Sequence, residues 1–292
     1  MGKHGWRDVS DEDSIAAVRR AMDLGVNLFD TADVYGLGHS EEILAQALGP
    51  RRHEVVIATK GGVVWDSAGR TRRDISPRSI RKALEGSLRR LGLETIPLYQ
   101  LHWPDARTPL AEALGELERC RDEGLLRWIG VCNVGASDLM LAREVSHTVA
   151  TQFPLSVLDR AAAAELLPFC GRHEMAALTY SPLAQGLLAG AFDAAQQRSD
   201  EDVRSRSSYF KADVLPRNVE VARRCALAAQ ALGITTPQLA LSWVLAQPGV
   251  TAVLSGIRTA AQVEENVGSL VASSAPALAC AVEQAVSHAT RE

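Results

Sequence analysis

Three short apolar stretches of the chain end in an ionisable residue: "NLFD" closes in Asp30, "VVIATK" in Lys60 and "LYQLH" in His102. A tyrosine, Tyr35, follows the first of them five residues on. A phenol is a poor acid at neutral pH, its pKa lying near 10. A neighbouring ammonium favours the phenolate and lowers that pKa by about one to three pH units, and a carboxylate beside the ammonium keeps it charged and fixed. Brought together, Lys60 would activate Tyr35 as a proton donor to a carbonyl oxygen, with Asp30 as the anchor of Lys60. A satisfied polar residue at the core's margin is the competing reading for each one alone. Three in equivalent places argue against coincidence.

The elements that must position these residues are strands followed by helices. Apolar runs of strand length occur at 26–31, 55–60, 98–102, 128–132, 149–153, 176–180 and 251–254, separated by stretches of helical period. Helix starts are marked by Ser10 with Asp13, by Ser76 before Pro77 and by Thr236 before Pro237, and stops by Gly25, Gly92, Gly124 and Gly233. From Pro77 onward, Ile80, Leu84, Leu88 and Leu91 keep to one face, the stripe of a helix that covers a sheet. Repeated strand-helix units without a linker predict one α/β domain over 1–292, either a closed (β/α) barrel or an open doubly wound sheet. In a barrel the C-terminal strand ends converge on one face, which would gather Asp30, Lys60 and His102. The barrel calls for eight strands where seven are visible. A polar, weakly periodic connection over 191–215 reads either as a lid over a ligand or as a surface excursion.

Composition narrows the classes further. The 292 residues are 47% hydrophobic and 23% charged, with a net charge of −4, which gives no electrostatic reason to expect nucleic acid or an anionic membrane. The densest basic stretch, "RTRRD" at 70–74, reads as a solvated loop. Five scattered cysteines without a C-x-x-C pair suggest neither a disulfide framework nor a zinc site and point to a reducing, cytoplasmic setting. No apolar run approaches the length of a membrane span. "GLGHSE" after the first strand prompts a dinucleotide fingerprint, but Glu41 stands where the third glycine belongs. H-E-x-x-H does not occur, so no metal site is expected.

The stretches "FDTADVYGLGHSEE", "VVIATKGG", "LYQLHWPD", "IGVCN", "ELLPFC", "TYSPLAQGLL", "QLALSWVLAQPGV" and "SGIRTAAQVEEN", in this order, resemble the aldo-keto reductases over nearly the whole chain. The resemblance implies a (β/α)8 TIM barrel that binds NADPH without a Rossmann domain and reduces an aldehyde or ketone to an alcohol. It maps a catalytic tetrad onto Asp30, Tyr35, Lys60 and His102, with His102 orienting the carbonyl. It also implies that Asn133 and Gln152 bind the nicotinamide amide and that Tyr180 stacks on its ring. Ser181, Leu183, Gln185 and Gly186 would line the pyrophosphate. Gly256, Arg258, Gln262, Glu265 and Asn266 would hold the adenosine end, with Arg258 pairing with the extra phosphate of NADPH.

Two departures stand out. Cys132 occupies a position where the family usually has serine, which would weaken one hydrogen bond to the nicotinamide amide. The chain opens "MGKHGW" where the family's first barrel strand should finish, so the eighth strand to account for is the first. The expectation is a reading frame that extends upstream of Met1, and a barrel whose strands at Val26 and Thr251 lack their shared neighbour. A regulatory or interaction subunit that senses bound nicotinamide with little turnover is the alternative to an enzyme. The substrate class beyond a small carbonyl, and whether the chain is a monomer or a homo-oligomer, stay open at this point. Trp103, next to His102, either shapes the pocket or packs.

Overall fold

The computed structural model describes residues 10–190, 207–272 and 276–289. The strands among them are β1 (Leu28–Asp30), β2 (Val56–Gly61), β3 (Val63–Trp65), β4 (Thr71–Arg73), β5 (Ile96–Leu101), β6 (Leu126–Cys132), β7 (Thr148–Pro154), β8 (Ala176–Tyr180) and β9 (Val250–Leu254). The helices are α1 (Asp11–Asp23), α2 (His39–Leu48), α3 (Pro77–Leu91), α4 (Leu110–Asp122), α5 (Ala136–Val145), α6 (Ala161–Arg172), α7 (Leu215–Ala231), α8 (Thr236–Leu245), α9 (Ala260–Val267), α10 (Ser269–Ala272) and α11 (Pro276–Ala289).

Seven of the strands form one parallel sheet in the order β1-β2-β5-β6-β7-β8-β9, the wall of a nearly closed TIM barrel with helices outside. Among the described residues β1 and β9 each have one sheet neighbour. An antiparallel hairpin of β3 and β4 stands apart from the wall and leaves it directly after β2.

The local signals explain the elements. Ser10 caps α1 by accepting the Asp13 amide at 3.1 Å, and acidic residues fill the first turn where the helix dipole favours them. At α3, Pro77 occupies the first turn and the chain leaves the helix through Gly92 at φ 63°, a left-handed conformation that glycine adopts without steric cost. The cap of α8 lies one residue earlier than the expected Thr236. Thr235 forms the box with Gln238, because the reciprocal bond needs its amide partner three residues beyond the cap. Of the connection over 191–215, residues 191–206 lie outside the described residues. The remainder includes a short turn, Ser208–Phe210, with Tyr209 and Phe210 buried.

Two layers of apolar packing hold the barrel. Between wall and helices, Ile80, Leu84, Leu114, Leu117, Ile129, Val131 and Phe153 belong to one continuous cluster, with Leu88 packed against it. Inside the barrel, Ala58, Leu98, Ala150 and Leu178 form the floor, with Leu28 and Ala252 against them. The side chains two residues further along each strand face the same way, because strand side chains alternate between faces. That places Asp30, Lys60, Gln100, Cys132, Gln152 and Tyr180 one layer above the floor, toward the C-terminal mouth.

Candidate active site

The register brings that upper layer together. Asp30 pairs with Ala58, Lys60 with Gln100, and Cys132 with Gln152 across adjacent strands. Gly130 faces Gln100, and a Cβ there would lie 2.8 Å from the Gln100 side chain, so glycine makes the room in which Gln100 sits. The loop after β1 is stitched to β2 by Thr31 N–H to Ala58 O (2.9 Å) and Asp33 N–H to Lys60 O (3.2 Å). Tyr35 then opens a short turn, Tyr35–Gly38, that folds over the mouth.

Lys60, with no exposed surface, donates from Nζ to Asp30 Oδ2 at 2.5 Å and to Thr31 O at 2.9 Å. Its ammonium lies 5.2 Å from the centroid of the Tyr35 ring. The Tyr35 and His102 rings meet edge to face, with centroids 5.6 Å apart. All four residues of the expected quartet therefore share one pocket.

Burial alone would discharge Lys60, but Asp30 and then Tyr35 overcome it and raise its pKa above the ordinary lysine value. His102 is pushed down to about 3, first by burial and then by the charges of Lys60 and Arg73. It is a neutral imidazole at working pH, able to donate a hydrogen bond to a carbonyl rather than to act as a cation. Its Nδ1 is buried without a partner among the described residues.

Tyr35 corrects the expectation. Its phenol is raised, not lowered, because desolvation of the hydroxyl outweighs the charge of Lys60, although the residue as a whole keeps 39% of its surface exposed. Tyr35 is thus not a standing phenolate. It is a phenol that holds its proton until a stronger base forms beside it.

The residues expected around the cofactor stand on or after β6, β7, β8 and β9. Asn133, directly after β6, adopts φ 60° and is engaged at both ends: Nδ2 donates to His102 O at 2.9 Å, and Oδ1 accepts from the Tyr180 hydroxyl at 2.7 Å. Gln152 donates from Nε2 to Asp30 Oδ1 at 2.9 Å. The turn after β8 carries Ser181, Leu183, Gln185 and Gly186, with Ser181, Ala184 and Gln185 all at positive φ. Non-glycine residues in that region cost free energy and cluster where a ligand must be approached closely. Gln185 Oε1 is buried without a partner among the described residues, and Gly186 and Gly256 leave open space where a side chain would stand. After β9, Gln262 Oε1 accepts the Arg258 amide at 2.8 Å, Gln238 donates to Glu265 O at 3.2 Å, and Asn266 Nδ2 donates to Ser255 Oγ at 3.1 Å, which shapes the start of α9. The backbone of this strained turn, the open space at the two glycines and a nearby arginine fit a nicotinamide dinucleotide laid across β8 and β9, whose ribose hydroxyls would supply the donor that Gln185 Oε1 lacks.

Sequence reasoning passed over three groups. Gln100 donates to Asp30 Oδ1 at 3.4 Å and accepts the Cys132 thiol at 3.6 Å, so the cysteine's hydrogen points into the barrel network. The signal was present, since Gln100 lies two residues before His102 on the same strand face. Behind the loop of Tyr35, buried Glu41 accepts from Thr59 Oγ1 and Arg90 Nε, both at 2.6 Å. Buried Asp33 leaves Oδ1 unpartnered among the described residues, and burial followed by the charge of Glu41 pushes it up to about 8. The third group is the hairpin of β3 and β4, whose Arg73 lies 4.5 Å over the Trp103 ring.

A nearly closed parallel barrel with its ionisable residues at the C-terminal strand ends defines a TIM-barrel enzyme. The sequence matches the aldo/keto reductase family over residues 1–276. It is 34% identical over 283 residues to the NADH-specific methylglyoxal reductase of Escherichia coli, covering 92% of this chain and 86% of that one. It is 31% identical over 277 residues to the aldo-keto reductase yakc of Schizosaccharomyces pombe, whose name specifies NADP(+), covering 92% and 82%. The structure of a glycerol dehydrogenase from Gluconobacter oxydans superposes with a TM-score of 0.88 at 32% identity, covering 99% of this chain and 89% of that one. The chain belongs to the aldo/keto reductase family and is an NAD(P)H-dependent oxidoreductase. No helix among the described residues is long and apolar enough to cross a membrane.

Proposed function

We propose that this chain, acting as one barrel domain in the cytoplasm, reduces a small aldehyde or ketone to an alcohol with NADPH, and that Tyr35 delivers the proton. The observation that carries the reading is the convergence of Lys60, paired to Asp30 at 2.5 Å, on the Tyr35 ring beside a neutral His102. When bound, the reduced nicotinamide supplies the hydride. The substrate oxygen sits between Tyr35 and His102, and His102 polarises it by donating a hydrogen bond. As negative charge gathers on that oxygen, the Tyr35 hydroxyl gives up its proton. Lys60 stabilises the phenolate left behind, and Asp30 keeps the ammonium charged and aimed.

Asn133 and Gln152 hold the carboxamide, exchanging their present bonds to Tyr180 and Asp30 for bonds to the cofactor. Tyr180 supports the ring. Ser181, Leu183, Gln185 and Gly186 take the pyrophosphate, and Gly256, Arg258, Gln262, Glu265 and Asn266 the adenosine end. NADPH rather than NADH is favoured by Arg258, a guanidinium suited to bidentate recognition of a phosphate. The relatives point both ways, one being named NADH-specific and another for NADP(+).

The test is Tyr35→Phe. A positioned general acid contributes about 10² to 10⁴ in rate, so turnover of aldehydes should fall by at least about a hundredfold. Cofactor affinity, read from quenching of tryptophan fluorescence, should hold within about twofold. Near-normal turnover in the variant would end the assignment.

A further inference from the structure

The hairpin that follows Lys60 does more than turn the chain. Val63 pairs with Arg73 and Trp65 with Thr71, and Asp74 N–H returns to Gly62 O at 2.9 Å, so the hairpin closes on the end of the strand that carries Lys60. Its far side is tied to the segment after His102: Ile75 N–H donates to Asp105 Oδ2 at 2.9 Å, and Arg107 donates to Arg73 O at 3.1 Å. The Arg73 backbone is thus fixed from two directions.

The Arg73 guanidinium lies 4.5 Å from the Trp103 ring, and that ring stacks on His102 with centroids 6.5 Å apart and planes 24° from parallel. Stacking on tryptophan orients a guanidinium while leaving its N–H edge free to donate. Within the hairpin, Arg70 is paired with Asp66 and Arg72 with Asp74. The Arg73 guanidinium, on an exposed strand, has no carboxylate within ion-pair distance among the described residues; its one side-chain hydrogen bond is a 3.5 Å contact to Pro104 O. The nearby acids are committed elsewhere, Asp74 to Ser76 and Arg72 and Asp105 to the amides of Ile75, Arg107 and Thr108. The residues assigned to the cofactor stand on β6 to β9 and the start of α9, leaving the flank of β2 to the substrate.

We propose that Arg73, held over Trp103 beside His102, is a specificity residue that binds the carboxylate of an oxo-acid substrate while its carbonyl lies against Tyr35 and His102. This rests on the carbonyl-reductase reading above. The guanidinium and the His102 ring both contact Trp103, so Trp103 would be the wall along which a short chain runs from its carbonyl to its acid.

The experiment compares the holoenzyme and its Arg73→Gln and Arg73→Lys variants on 5-oxopentanoate and on pentanal, which differ in the carboxylate. A charge-assisted hydrogen bond to a charged ligand corresponds to about a ten- to hundredfold effect. The ratio of kcat/KM for 5-oxopentanoate over pentanal should fall by that factor in Arg73→Gln, chiefly through KM, and recover in part in Arg73→Lys. An unchanged ratio, whether both rates fall together or neither moves, overturns the proposal.

Binding of the product 5-hydroxypentanoate to the NADP⁺-loaded protein, followed by calorimetry, separates this inference from the reading beneath it. Weaker binding in Arg73→Gln upholds the anion site; if the protein nonetheless reduces neither aldehyde, it is the reductase reading alone that falls. Equal binding in both proteins refutes the anion site.

Discussion

Replacing Asp30 by asparagine tests the electrostatic core of the site. The wild-type carboxylate accepts from Lys60, Gln152 and Gln100, and it is the counter-charge that keeps a fully buried ammonium ionised. Asparagine keeps the shape but removes the charge, and it turns one acceptor into a donor facing donors. Removing one partner of a buried ion pair costs about 3 to 5 kcal/mol, because the remaining charge stays desolvated. With a urea slope of about 3 kcal/mol per molar for a chain of this size, the midpoint should drop by about 1 to 1.7 M at pH 7.5.

The pH dependence gives a second reading. In the wild type the folded pKa of Lys60 lies above its unfolded value, so its contribution is present in full below about pH 10 and is lost only above it; between pH 6 and 9 this pair adds no slope. In the variant, burial has lost its strongest opponent, and the folded pKa is expected to fall below the unfolded one. The unfolded chain then binds more protons, and stability rises with pH by up to about 1.4 kcal/mol per pH unit through that window. Adding Lys60→Met to Asp30→Asn removes the stranded charge and should return part of the loss. A penalty under about 1 kcal/mol with no new pH slope would show that Asp30 does not hold the charge of Lys60, and the account of how Tyr35 is assisted would fail with it.

Two further predictions follow from the same geometry. Asp33 holds its proton up to about pH 8 in the folded chain but releases it near pH 4 when unfolded, so stability should decline across that window by up to about 1.4 kcal/mol per pH unit; Asp33→Asn should flatten the decline in thermal melts at pH 5, 6.5 and 8, and an unchanged slope would refute the protonated state. Arg258→Gln should weaken NADPH by about tenfold or more in fluorescence titration and leave NADH nearly unaffected; equal effects on both, or an unmutated chain that prefers NADH, would remove Arg258 from the phosphate and NADPH from the assignment.

How much of this was legible in the sequence depends on which physical rule writes each residue. The quartet was legible because a parallel barrel delivers every C-terminal strand end to one mouth, so an ionisable residue closing an apolar run has a place to go. The hairpin was not, because three-residue strands are too short to show an alternation; "RTRRD" read as a solvated loop, and its residues 71–73 are indeed exposed, but they form a strand whose last arginine lies over the neighbour of His102. The pKa of Tyr35 was read with the wrong sign for a related reason. The spacing of residues predicts which charges meet, but desolvation is set by everything packed around the hydroxyl, and no short stretch encodes that.

The alternation of the strands carries more than strand-end reading extracted. Along the wall a small or apolar residue recurs two positions before a polar or aromatic one: Leu28 before Asp30, Ala58 before Lys60, Leu98 before Gln100, Gly130 before Cys132, Ala150 before Gln152 and Leu178 before Tyr180. In a barrel wall that spacing is one layer of the lumen, so Leu28, Ala58, Leu98, Ala150 and Leu178 build the apolar floor and the residues two positions on the reactive layer above it. The floor explains why the layer above works. It seats Lys60 away from water, which makes Asp30 indispensable, and it confines Gln100, Cys132 and Gln152 to bonds with one another and with Asp30. A polar substitution at Ala58 or Ala150 would therefore reach the chemistry without touching any residue that performs it.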